Sequence, residues 1–142
     1  MAKILLNLVI INQKQYIPPF PRIIAVIDSG SELNLISSSL AKRLYDHNVR
    51  LNNNNVSLKG MFSSINSVGE GKLKFVFNSP NYTKPFAIPV MILPPKTIAP
   101  NEVILGRNFL ATNKFDIQFA PDHQEKMFHD EFEIPIEQMR LN

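Results

Sequence analysis

The chain has 142 residues, 44% of them hydrophobic, and a formal net charge of +3, a size and composition that suit one domain with its own core and not two. Its lysines and arginines are scattered instead of forming a basic stripe, which argues against nucleic-acid binding. The absence of cysteine excludes disulfide frameworks and thiolate metal sites, and His47, His123 and His129 lack zinc-like spacing and read as surface residues.

The first apolar stretch, AKILLNLVII, is interrupted by Asn7 and is far shorter than the roughly 20 residues a membrane-spanning helix needs. The NQKQYIPPF that follows offers no small-residue cleavage site for a signal peptide. The segment therefore reads as a strand over 4–11, and no membrane partner is implied. Prolines at 18, 19 and 21 break it, and 22–27 resumes as a continuous apolar run typical of a strand buried on both faces. Residues 37–46 suit a short helix, with a serine cap and Leu40 and Leu44 at i,i+4 spacing, ending near Asn48. LNNNNV is a polar loop, and 56–61 and 71–77 read as the two arms of a hairpin, made permissive at its distal part by Gly60, Gly69 and Gly71. FAIPVMIL is a further strand. NEVILGRNFLATNKFDIQF reads as a strand, a turn at Gly106, one helical turn over 107–111 and a strand over 115–119. No internal repeat appears. The density of turn signals predicts an all-β barrel or sandwich.

One carboxylate interrupts this pattern. The run 23–27 ends abruptly on Asp28-Ser29-Gly30, and apolar residues resume at Leu33, Leu35 and Ile36. A strand ending in an ordinary turn would look similar, with Asp capping the backbone and Gly accepting a positive φ. Yet the segment after the turn returns to the core, and a second apolar strand, EVILG, arrives later in the chain. A carboxylate between two buried strands is costly to bury ionised and needs hydrogen bonds or a shared proton.

AVIDSGS followed by VILGRNFL resembles the retropepsins, the aspartic proteases of retroviruses, retrotransposons and plant pararetroviruses. The resemblance covers about residues 20–120, with the motifs in the family's order: Asp-(Thr/Ser)-Gly turn, flap hairpin, then Gly-Arg before a short helix. The Asp-Ser-Gly spelling and the asparagine-rich, cysteine-free style resemble a plant pararetrovirus of the badnavirus or tungro type, or a related retrotransposon. The implied fold is an all-β closed barrel of the acid-protease type with one or two short helices and a flap hairpin, occupying 1–142 as a single domain.

By that resemblance Asp28, Ser29 and Gly30 form the catalytic turn, with Ser29 bonding across a dimer and Gly30 letting backbone approach the carboxylates and substrate. Of five aspartates, only Asp28 sits in such a turn; Asp116 follows no buried run and precedes no glycine. Bilobal relatives carry two turns in a chain more than twice as long, so one turn per chain implies a homodimer with Asp28 and its mate at the two-fold axis. Ser31 stands where many retroviral enzymes have alanine, and its hydroxyl near Asp28 would favour the charged carboxylate. Glu32 matches an acidic position that pairs with the helix arginine, here Arg107, following Gly106; both could equally be solvated charges. Residues 60–67 correspond to the flap tip, with Gly60, Met61, Phe62 and Ile65 closing over substrate in a groove that Ser31 and Glu32 also line, although an ordinary hairpin would read alike.

The resemblance implies an aspartic endopeptidase, free of metal and organic cofactor, that processes a viral or transposon polyprotein at extended segments with apolar residues near the scissile bond. It would act in the host cytoplasm or in the particle, as part of a polyprotein before processing. Residues 121–142 would supply a dimer strand or be a linker tail. Two other readings fit parts of the sequence: a retropepsin-like module that has lost proteolysis and serves dimerisation or protein binding, against which the intact Asp28, Ser29 and Gly30 argue, and an unrelated β-barrel binding protein.

Overall fold

The computed structural model describes residues 2–10, 23–44, 57–59, 64–77, 84–118, 126–129, 132–134, 136 and 138–141. Among these residues twelve strands and two short helices follow in chain order: β1 (Ala2–Ile10), β2 (Ile23–Ile27), β3 (Leu35–Ser37), α1 (Ser38–Leu44), β4 (Ser57–Lys59), β5 (Ser64–Asn66), β6 (Gly69–Phe77), β7 (Phe86–Leu93), β8 (Glu102–Leu105), α2 (Arg107–Thr112), β9 (Asp116–Gln118), β10 (Lys126–His129), β11 (Phe132–Ile134) and β12 (Gln138–Leu141).

Seven strands form one sheet in the order β12-β1-β2-β8-β3-β7-β6. The sheet curls on itself. β1 pairs with β2 along one side and, on the other, with β12 at 2–5 and with β6 at 8–10, so that the β1–β6 contact links the two ends of the sheet into a barrel. The core runs through its interior: Ile23, Ala25 and Ile27 of β2, Leu73, Phe75 and Phe77 of β6, Phe86, Ile88, Val90 and Ile92 of β7, and Val103 and Leu105 of β8 are all buried together. Phe75, Phe77, Phe86, Phe109 and Phe115 pack ring against ring, with Phe109–Phe115 centroids 5.1 Å apart and Phe86–Phe109 5.3 Å apart in an edge-to-face arrangement.

Local signals account for several elements. Ser37 caps α1: its hydroxyl accepts the Leu40 N–H at 3.1 Å, and Leu40 and Ala41 turn into the core. β6 alternates as read from sequence, burying Leu73, Phe75 and Phe77 while exposing Lys72 and Lys74.

Its hairpin partner differs from the sequence expectation. The arms expected at 56–61 and 71–77 do not pair with each other. Instead β4 pairs with β5, Leu58 opposite Ile65, and β6 pairs along its length with β7, Leu73 opposite Ile88 and Phe75 opposite Phe86. Burial decides this: the apolar phase of β6 is matched by that of β7, and pairing them places both sets in one core. A second correction concerns His129, which is not a surface residue but 3% exposed, its ring 4.7 Å from that of Phe115 and 5.7 Å from that of Phe86. His47 and His123 lie outside the described residues.

The C-terminal segment is integral to the chain's own fold. β9, β10 and β11 form a three-stranded antiparallel sheet, and Met127 and Ile134 from it are fully or almost fully buried in the main core. A linker tail does not bury such residues. β12 pairs within the chain with β1.

Candidate active site

β2 and β8 run parallel, Val26 beside Ile104 and Ile27 beside Leu105, and both end at the same level. The ladder continues one step further, with the Asp28 N–H donating to the Leu105 carbonyl at 3.1 Å. Beyond it the chain turns sharply. The Ser31 N–H donates to the Asp28 carbonyl at 3.1 Å, and the Gly30 N–H donates to Oδ1 of Asp28 at 3.0 Å. No described glycine has a positive φ, so Gly30 is not there for a left-handed conformation. Its use is space: a Cβ at this position would lie 3.2 Å from Oδ1 of Asp28. Asp28 is half-buried, and Ser29 and Gly30 are exposed, so the carboxylate is oriented by its own turn yet partly open to solvent.

The loop 28–34 is fastened to the start of α2 by three consecutive backbone N–H groups. Gly106 donates to Oδ1 of Asn34 at 2.9 Å, Arg107 to the Ser31 carbonyl at 2.7 Å, and Asn108 to the Glu32 carbonyl at 3.2 Å. This packing requires glycine at 106, since a Cβ there would come within 2.4 Å of the Leu33 oxygen and 2.7 Å of the Ser31 oxygen. Gly106 thus has a steric role that its place in a turn alone did not reveal.

Nη2 of Arg107 meets Oε1 of Glu32 at 2.9 Å, as the sequence pairing anticipates, but the two side chains are 62% and 74% exposed. Ser31 departs from expectation: its hydroxyl donates to the Leu33 carbonyl at 2.7 Å and so stiffens the loop instead of supporting the Asp28 carboxylate. The structure therefore gathers Asp28, Ser29, Gly30, Ser31, Glu32, Gly106 and Arg107 at one end of the β2–β8 pair. Of the expected flap residues, Gly60, Met61 and Phe62 lie outside the described residues, and Ile65 sits within the second arm of the β4–β5 hairpin and not at its tip.

Two features escaped sequence reading. Alternation along β2 puts Ile24, Val26 and Asp28 on one side of the strand, and there Val26 and Ile104 are buried in a second, smaller apolar cluster with the partly buried Ile24, Leu35 and Ile98. An apolar strip thus leads up to the carboxylate. The other is Asn34, 5% exposed, which in sequence is one asparagine among many. Among the described residues no group of His, Asp and Glu is placed to hold a metal ion.

No protein-family model and no curated protein matches the chain. Solved structures do. The retroviral protease-like domain of Ddi1 from Leishmania major superimposes with a TM-score of 0.57 at 17% identity, covering 96% of this chain and 94% of that one. A retropepsin-like aspartic protease from Rickettsia conorii superimposes with a TM-score of 0.53 at 16% identity, covering 86% and 85%. At such identities the likeness is one of fold, and the curled β-sheet with its few short helices is accordingly a retropepsin-like fold.

Proposed function

We propose that this chain is an aspartic endopeptidase that works as a homodimer. The observation that carries the reading is the Asp28-Ser29-Gly30 turn at the shared end of β2 and β8, its carboxylate oriented by the Gly30 N–H and its loop fastened to residues 106–108, in a retropepsin-like fold. Aspartic proteolysis needs two carboxylates sharing one proton: the ionised one takes a proton from the attacking water, and the protonated one polarises the scissile carbonyl. One Asp-Ser-Gly turn per chain supplies half of that pair, and a two-fold axis beside Asp28 supplies the other. Ser29 and Gly30, exposed in the single chain, would lie in the contact between copies.

The substrate is an extended polypeptide with apolar side chains near the scissile bond. Ile24, Leu35 and Ile98, partly buried over Val26 and Ile104, would offer such side chains an apolar wall on the Asp28 side of the sheet, and main-chain hydrogen bonds to strand edges would hold the peptide extended. On the sequence resemblance that substrate is a viral or retrotransposon polyprotein, cut in the host cytoplasm or the particle. The test is to incubate the purified chain with denatured casein, with and without pepstatin, beside Asp28→Asn. Pepstatin-sensitive cleavage lost in the variant is expected; cleavage that survives in a clean Asp28→Asn preparation rejects the assignment.

A further inference from the structure

Asn34 is buried, and its polar groups face two neighbouring elements, the turn at Gly106 and β7. Oδ1 accepts the Gly106 N–H at 2.9 Å, Nδ2 donates to the Pro89 carbonyl in β7 at 3.1 Å, and its backbone carbonyl accepts the Met91 N–H at 2.9 Å. β3, which starts at the next residue, lies between β8 and β7, antiparallel to the first and parallel to the second. The Asp28 loop must pass between these strands, and Asn34 is where it is tied to both.

The ties have different partners. Gly106 opens the segment that grips the Asp28 loop from the β8 side, through Arg107 and Asn108. Pro89 and Met91 belong to β7, whose register with β6 (Lys72 opposite Pro89, Glu70 opposite Met91) and the bond from the Val68 N–H to the Ile92 carbonyl at 2.8 Å connect it to the chain just after the β4–β5 hairpin. A single carboxamide thus spans the catalytic loop, the α2 turn and the strand pair from which the hairpin departs. An amide suits this place because it offers an acceptor and a donor at once, and Pro89, lacking an N–H, presents only its carbonyl there.

On the aspartic protease reading proposed above, we infer that Asn34 is a positioning residue: it fixes where the Asp28 carboxylate stands relative to β7 and the base of the β4–β5 hairpin, without touching substrate. Its loss should then lower kcat while leaving KM nearly unchanged, because ground-state contacts persist and the reacting geometry drifts.

The test compares wild type, Asn34→Leu and Asn34→Asp on one peptide substrate, with competent sites counted by pepstatin titration, at pH 4 and pH 6.5. Asn34→Leu keeps the branching and the number of heavy atoms, with somewhat more bulk, and removes both side-chain bonds; its kcat per titrated site should fall about 10- to 100-fold with KM within about twofold. Asn34→Asp is the conservative rescue. When protonated it can donate to Pro89 and accept from Gly106, and when ionised it can only accept and repels the Pro89 oxygen. Its kcat should therefore stay within about threefold of wild type at pH 4 and fall toward the Asn34→Leu value at pH 6.5. The charged groups around this position are Asp28 and Glu32 in the loop, Arg107 at the start of α2 and Glu102 at the far end of β8; β7 and β3 carry none. Repulsion from Asp28 and Glu32 would hold the new carboxyl protonated to higher pH and would help activity there, opposite to the loss expected.

If Asn34→Leu does not fold, the pH dependence of Asn34→Asp decides. Undiminished kcat per site in Asn34→Leu, or in Asn34→Asp at a pH where NMR titration shows the new carboxyl ionised, overturns the positioning role while the protease reading stands. A wild-type chain that neither cleaves nor binds pepstatin overturns both.

Discussion

Gly106 offers a substitution whose sign alone is informative. Its backbone, at φ −91° and ψ −179°, is open to any residue, so on conformational grounds Gly106→Ala should stabilise the chain by about 0.4–1 kcal/mol through the unfolded state. The packing says the opposite. The new Cβ would sit 2.4 Å from the Leu33 oxygen and 2.7 Å from the Ser31 oxygen, where non-bonded C···O contacts begin near roughly 3.3 Å. Something must therefore move by about 1 Å, and both obstacles are backbone, which cannot rotate away. Overpacking of this kind costs about 1–3 kcal/mol. Prising the loop from 106 also strains the buried bond from the Gly106 N–H to Asn34, and leaving that donor unsatisfied costs about 1–3 kcal/mol more. The expected loss is about 2–6 kcal/mol, a large part of the roughly 5–15 kcal/mol that holds such a domain together. Urea unfolding followed by circular dichroism should show a midpoint lower by about 1–3 M at an m-value near 2 kcal/mol/M. Activity per folded molecule should fall as well, since Asp28 hangs on the same loop. A midpoint equal to or above that of wild type would sink the steric account.

Other expectations follow from the proposed function and from the geometry of the chain. Specific activity should fall on dilution below the dimer dissociation constant, and excess Asp28→Asn chain should poison wild type; activity unchanged where sedimentation finds only monomer would exclude a shared site. Arg107→Ala should cost only about 0–1 kcal/mol in the separate chain, because the pair with Glu32 is exposed, and any larger loss should appear in the dimerisation constant measured by sedimentation. Ser31→Ala removes the donor to Leu33 and should cost about 1 kcal/mol in chemical denaturation, while the pH profile of kcat/KM keeps its position; a displaced bell would mean the hydroxyl tunes the dyad after all. Met127→Ala should cost about 2–5 kcal/mol, because Met127 is fully buried in the core; a thermal midpoint matching wild type would return residues 126–134 to the status of an appendage.

What could be read in the sequence was what depends on neighbours a few residues away. The apolar run of β2 stopping at Asp28, the Ser37 cap of α1, the alternation of β6 and the Gly106-Arg107 step into α2 are all local patterns, and each forms where expected. The misses depend on partners far along the chain. Asn34 bonds to groups 72 and 55 residues away, and no local pattern separates it from a loop asparagine. The strand opposite β6 is chosen by shared burial with β7, which a turn-based hairpin search cannot register. His129 is buried because β10 pairs with β9 and carries it against Phe86 and Phe115; the histidine itself gave no sign of this. Ser31 shows the converse limit, since proximity in sequence to Asp28 suggested a bond that the loop conformation gives to Leu33 instead.

The site also shows a division between what is fixed and what is left open. Gly106, Asn34 and the carbonyls of Ser31, Glu32 and Leu33 are engaged in bonds or contacts at 3.2 Å or less, so the loop is rigid on the side facing α2. The opposite side carries Ser29 and Gly30 exposed, Asp28 half-buried and the Glu32–Arg107 pair in water. On the protease reading proposed above, the Asp28 carboxylate takes the second acid with which it shares a proton from another copy of the chain, and an ordinary surface turn would not need the clamp beneath it. On that reading, a rigid loop with an uncovered face is what two copies would require to bring their Asp28 carboxylates together without reorganising either loop, since interface backbones that move little on association bind at the least cost. On this view the exposed Glu32–Arg107 pair contributes little until the second copy excludes water from it. Removing one partner should then cost about 0–1 kcal/mol in the monomer and about 3–5 kcal/mol in the dimer, where the other charge would be left buried and unpaired.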